Sequence, residues 1–263
     1  MRTQPAQSQP QARKKKQSEK AVILGRRFAT VKVAKDRSFN VHEDLICSRS
    51  EYFKNLLQKN RKELDEECAI CREGFEVTKD DVVHCQTCGQ NLHDDCVAQW
   101  HTRGDDKRCP FCRAAWTPDS EAKTIKCQSL DVDGFDTYVK FIYGKGIATY
   151  TSESNNHDQR TLRLCKAWIV GNIVDDKEFK RAIIETLEEH IEDSNQLPGV
   201  EPMEYLFHEI EDRRRHGELH IFMLRIFKTK GSNVTSMWYD EIDSPWVCTF
   251  LKCLSHELLN PTV

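Results

Sequence analysis

From Cys68 to Cys112 the chain reads CAICREGFEVTKDDVVHCQTCGQNLHDDCVAQWHTRGDDKRCPFC. Metal-ligand residues fall in it as Cys68-x2-Cys71-x13-Cys85-x2-Cys88-x4-His93-x2-Cys96-x12-Cys109-x2-Cys112. Two intervening residues let both side chains of a pair converge on one ion, and thiolates with an imidazole suit tetrahedral zinc. A single such pair is a weak signal. Four in so short a span, one of them containing a histidine, predict bound zinc. Thiolate affinity of this kind is folding energy, so the segment should unfold when the metal is stripped. His84 and His101 are spare, because all eight slots are filled at good spacing.

The wider composition agrees. Of twelve cysteines, seven lie in this stretch, while Cys47, Cys127, Cys165, Cys248 and Cys253 are scattered singly. Those five read as ordinary buried thiols. No apolar run approaches the ~20 residues needed to cross a bilayer; Leu219 to Phe227 is broken by His220 and Arg225. The N-terminus lacks the apolar core of a secretion signal. A cytoplasmic or nuclear protein is therefore expected, where thiols stay reduced and clustered cysteines mean metal rather than disulfides. At 38% hydrophobic and 31% charged, the chain can bury a real core. Its net charge of -3 singles out no partner, and neither a membrane nor a nucleic acid is expected.

Residues 1–20 read as a disordered basic tail, with six Lys/Arg against one Glu. Its Arg13-Lys14-Lys15-Lys16 run is a nuclear-import or nucleic-acid signal, or simply a solvated tail. From residue 21, Phe28, Val31 and Val33 predict a strand, Phe39-Asn40-Val41 a second, and His42 to Ile46 a helix. Ser50 caps a further helix bearing Tyr52, Phe53, Leu56 and Leu57. Gln58 to Glu67 reads as a polar linker. Beyond Trp116 the pattern predicts a strand over 124–130 and a helix through Phe135, Val139, Phe141 and Ile142, ending near Gly144. Further helices are predicted at 158–171, 176–192 and 201–213. Residues 218–228 fit helix or strand, and a last helix carries Trp246, Phe250, Leu251 and Leu254.

The zinc stretch resembles RING, RING-variant and PHD fingers, which interleave their ligand pairs. That resemblance implies that Cys68, Cys71, His93 and Cys96 hold one Zn2+, and Cys85, Cys88, Cys109 and Cys112 a second. PHD fingers, readers of histone tails, place an aromatic two positions before the seventh ligand, where this chain has Lys107. The intervening residues resemble ligase RINGs instead. Ile70 and Trp100 match the apolar contacts with a ubiquitin-conjugating enzyme, Pro110 completes a common Cys-Pro-x-Cys ending, and Arg113 matches the cation that bridges conjugating enzyme and ubiquitin. The departure is Cys88, near which many RINGs carry His after a shorter gap. What the resemblance implies is a RING-type ubiquitin ligase that orients thioester-linked ubiquitin and needs no nucleophile of its own.

Flanking residues Phe39, Val41, His42, Leu45, Ser50, Tyr52 and Phe53 resemble the start of a BTB/POZ domain. The stretch from Ile125 to Leu130, followed by Phe135, Tyr138, Val139, Ile142 and Tyr143, resembles its continuation. His42 has a structural role in that family. The expected fold class is α+β: a BTB-like helical domain with a small sheet, interrupted by a cross-brace two-zinc module. Its expected parts are residues 21–62 and 118–195 for the BTB-like domain, 63–117 for the RING-type finger and 196–263 for a helical extension. The implied partners are a ubiquitin-conjugating enzyme, ubiquitin, an unknown substrate, and a second copy or a cullin bound through the BTB-like part. The alternatives are a non-catalytic BTB adaptor with a structural zinc insert, or a PHD-like histone reader.

Overall fold

A computed structural model describes residues 25–64, 67–76, 81–103, 107–117, 123–147, 156–208, 217–230 and 243–259. The basic tail and the 209–213 end of one predicted helix lie outside these residues. Alternation in β1 (Phe28–Ala34) buries Ala29, Val31 and Val33 on one face. Lys35 and Asp36 turn the chain into β2 (Arg37–His42), antiparallel to β1. Two short helices follow, α1 (Glu43–Arg49) and α2 (Glu51–Leu57). Ser50 caps α2 as expected, its Oγ accepting from the Phe53 amide and donating to the Val174 carbonyl.

The chain then makes the zinc module, built on β3 (Val82–His84), β4 (Asn91–His93) and α3 (Asp94–Thr102). It returns as β5 (Lys123–Lys126), which pairs parallel to β1 and completes a sheet of order β2-β1-β5. This strand is shorter than predicted. After Cys127 the chain turns, with the Leu130 amide on the Cys127 carbonyl, and Asp131 Oδ1 accepts from the Gly134 amide to start α4 (Val132–Ile142).

Helices α5 (His157–Ile173) and α6 (Lys177–Ser194) pack behind α4, with Asp176 capping α6 through the Phe179 amide. A Cβ on Gly134 would stand 2.7 Å from the Lys166 carbonyl oxygen, so only glycine permits this approach of α4 to α5. Helices α7 (Val200–His208), α8 (Gly217–Lys230) and α9 (Pro245–Leu259) complete the molecule. Residues 218–228 are thus helical.

One apolar core runs through all of this. It joins Val31, Phe53, Phe135 and Trp168 to Phe207, Phe227, Trp246 and Phe250, so the C-terminal helices add to the same core rather than forming an appendage. Because Phe53 and Leu57 precede the zinc module and Leu130 and Phe135 follow it, the module interrupts one core. The architecture is mixed α+β with small sheets. Two thiol expectations need correction: Cys248 is exposed on the outer side of α9, and Cys253 is only half-buried at the edge of the core it packs against, whereas Cys47, Cys127 and Cys165 are buried. Trp168 is among the largest fully buried side chains. Trp168→Ala should cost about 3–5 kcal/mol, measured by denaturant unfolding.

Candidate metal centre

The zinc module repeats one backbone turn three times. The amides of Arg72, Gly89 and Arg113 donate to the carbonyls of Cys68, Cys85 and Cys109, at 2.8, 2.8 and 3.0 Å. The amides of those same cysteines donate to the carbonyls of Glu73, Gln90 and Ala114. Each turn closes through a residue in the left-handed region, with φ of 63° at Arg72, 75° at Gly89 and 61° at Arg113. Such a turn brings both cysteine sulfurs of a pair to one side. The remaining pair, third in chain order, is made differently: His93 ends β4 and is the N-cap of α3, so Cys96 follows within the first helical turn.

These elements gather two groups, Cys68, Cys71, His93 and Cys96, and Cys85, Cys88, Cys109 and Cys112, with ligand atoms within 4.8 Å of one another in each. The first and third pairs meet, as do the second and fourth. In the second group the Cys85–Cys112 and Cys88–Cys109 sulfurs are 3.7 and 3.9 Å apart. A tetrahedron with zinc–sulfur bonds of ~2.3 Å has edges of about 3.8 Å. In the first group His93 Nδ1 lies 3.3 Å from the Cys71 sulfur and 3.8 Å from that of Cys96. The donor sets and spacings fit two zinc ions.

Backbone amides prepare two of the sulfurs, whereas burial pushes the thiols of Cys88, Cys96 and Cys109 upward. Burial alone would raise the Cys68 thiol, but the amides of Cys71, His93 and Ile70 bring it down to about 7. Burial likewise opposes ionisation of Cys85, and the amides of Cys88 and Thr87 turn its shift downward. Both directions favour the thiolate that binds metal. All four positions of each ion are filled by protein, which leaves no open position for a zinc-bound water.

Among the described residues the module has a small core of Cys68, Val83, Leu92 and Val97, with Ile70, Phe75 and Trp116 packed against it. Trp100, on α3, keeps 45% of its surface exposed, and Phe111 keeps 58%. Pro110 is half-buried and Arg113 exposed. Neither spare histidine joins a metal group. His84 ends β3 with Nδ1 2.9 Å from the Arg27 guanidinium; burial, then the nearby cations, hold its pKa down at about 2, so it is neutral. The His101 ring meets Trp116 edge-on. His42 sits outside the module, its Nδ1 2.7 Å from the Tyr143 hydroxyl and its ring 4.2 Å from that of Phe28.

Sequence reasoning passed over Phe111, whose exposure beside Pro110 is the kind that marks contact surfaces. It also passed over Arg61 and Lys62. These belong to the stretch read as a linker, yet Arg61 bonds to Asn91 of β4 and Lys62 Nζ lies 5.0 Å from the Phe111 ring centroid. Their polar character was their only signal, and it points equally to solvent.

A compact cross-brace of two interleaved zinc sites, without an open metal position, defines a zinc-finger module. Residues 66–113 match the family described as Ring finger domain, so the chain carries a RING-type zinc finger there. No curated protein and no solved structure matches the chain. Among the described residues no helix is long and apolar enough to cross a membrane.

Proposed function

We propose that the chain is a RING-type ubiquitin ligase. The observation carrying this reading is the surface around the zinc knuckles, where Trp100 and Phe111 stay exposed instead of filling the small core beneath them. We read Ile70 and Pro110, both half-buried, as further contacts for a loop of a ubiquitin-conjugating enzyme. Arg113 carries a fixed charge and a planar fork of donors, able to bond enzyme and ubiquitin together. Restraining the thioester-linked ubiquitin would leave its carbonyl open to an incoming lysine. The substrate amine then attacks that carbonyl, the conjugating enzyme's thiolate leaves, and an isopeptide bond replaces the thioester.

The flanking core is read as BTB-like. Its support is the order of two strands, two helices, an insertion, then a strand and helices, together with the likeness around His42 and Ile142. A BTB-like part would supply self-association, cullin binding or substrate contact. The adaptor alternative keeps one observation in its favour: the zinc module is bonded to the core through buried side chains, as a purely structural insert would be.

Transfer from a panel of charged conjugating enzymes to free lysine tests the ligase reading. Arg113→Gly is the better variant, since glycine relaxes the φ of 61° while deleting the cation. It and Ile70→Ala should each slow transfer about tenfold or more with both zinc ions retained. Full activity in both would overturn the assignment of these residues.

A further inference from the structure

Several of the buried polar side chains gather around the zinc module and the core beside it. His84, Gln90 and Asn91 of the zinc module are all nearly inaccessible, as are Glu43 and Gln58 of the adjoining core. Asn91 is satisfied at every atom that matters: Nδ2 donates to the carbonyls of Lys62 and Glu63, and Oδ1 accepts from Arg61 Nε at 3.0 Å. Arg61 also pairs with Asp44 of α1, whose carboxylate takes Gln58 Nε2 at 2.7 Å. Glu43 accepts from the same amide at 3.1 Å and from Lys123 Nζ, at the start of β5, at 3.3 Å. On the other flank Arg27 reaches His84, and Arg26 pairs with Asp81 and Asp94. The Lys62 amide donates to the Gly89 carbonyl at 3.0 Å.

Two separate stretches of the core, around residues 26–27 and 60–63, therefore grip the β3–β4 hairpin and the second zinc knuckle, and Lys123 braces the core side through Glu43 and the Leu57 carbonyl. An apolar contact of this size could slide. Directional bonds between buried groups cannot shift without leaving a donor or acceptor unpaired, which is costly. Neither Ile70, Trp100 nor Arg113 is used in these bonds.

We propose that this seam makes module and core one rigid unit, with Arg61 and Asn91 as positioning residues that fix the direction in which the module presents its bound carrier. The functional consequence rests on the ligase reading: lysines are modified within one fixed sector around the core. The seam is thus a determinant of which lysines are reached, separate from the surface that stimulates transfer.

Pulsed electron resonance on the full chain tests it, with nitroxides on noncanonical residues at exposed Asp95 of α3 and exposed Glu188 of α6. The unsubstituted chain should give one narrow distance distribution. Arg61→Ala and Asn91→Ala should broaden it, retain zinc, leave transfer to free lysine unchanged and widen the set of self-modified lysines found by mass spectrometry. Arg61 lies outside the module, which keeps the test valid should Asn91→Ala fail to fold. A distribution equally narrow in Arg61→Ala, or an unchanged lysine set beside a broadened distribution, overturns the proposal. Failure of the unsubstituted chain to transfer to free lysine removes the ligase reading instead, and the distance distributions still decide the rigidity.

Discussion

Stripping zinc from the chain will unfold the segment from Cys68 to Cys112 and leave the helical core standing. The module has little else to hold it: strands of three residues, one nine-residue helix and a four-residue buried cluster. A helix that short is marginal alone, and so small a core does not offset the entropy of ordering the chain. Each structural zinc contributes about 10–16 kcal/mol at neutral pH, which is larger than any other term available to the segment. The core keeps its own apolar interior, with residues from both sides of the insertion. Its cost is the loss of seam partners and the closure of a longer floppy loop between Gln58 and Lys123, for which each doubling of length adds only about 0.6 kcal/mol. Chelation should therefore release two zinc ions per chain, shift the fluorescence of Trp100 and Trp116, and open protease sites only within the module. Cys109→Ser, at a buried ligand, should do the same without chelator. Tryptophan emission and protease pattern unchanged after full zinc release would sink this account.

What was legible in the sequence is what local spacing dictates. A two-residue gap between cysteines admits the knuckle turn, and the clusters observed are those implied by the resemblance. Alternation in β1 and the Ser50 cap were equally local, and the structure contains both. The failures have a common cause in tertiary context. The 218–228 stretch fits either period, and what makes it α8 is burial of Leu219, Met223, Leu224 and Phe227 on one side. Cys248 faces outward on α9 and Cys253 sits at the edge of the core, while Trp246 and Phe250 take the interior. The 58–67 stretch misled most. Arginine, lysine, glutamine and glutamate there read as solvated, and nothing within ten residues announces that Asn91, about thirty positions on, satisfies their backbone. Buried polar seams are specified by partners at both ends, so a one-dimensional pattern carries only half of each.

Gly89→Ala will be among the most disruptive single-methyl additions in the molecule. Its φ of 75° costs a residue with a Cβ about 1–2 kcal/mol. The added Cβ would also stand 1.5 Å from the Asn60 carbonyl oxygen and 2.6 Å from its carbon. That neighbour is backbone, held in place by the Arg61 amide on the Gln58 carbonyl and the Lys62 amide on Gly89 itself. A flexible side chain could swing away; this peptide can retreat only by opening the seam. Overpacking of this kind costs about 1–3 kcal/mol further, so the total is about 2–5 kcal/mol. Gly74 supplies the control, since it lies in the same module with no atom within 4 Å of its Cβ position and no left-handed φ. Thermal melts should show Gly74→Ala near the unsubstituted protein and Gly89→Ala well below it. The zinc content separates two ways of failing. Arg72 and Arg113 occupy the equivalent knuckle position with a Cβ and a left-handed φ, so the turn itself tolerates a side chain and zinc should stay bound. The damage then falls on the contact between module and core. Equal melting of the two alanine variants would mean that Gly89 and Asn60 are not in contact in solution.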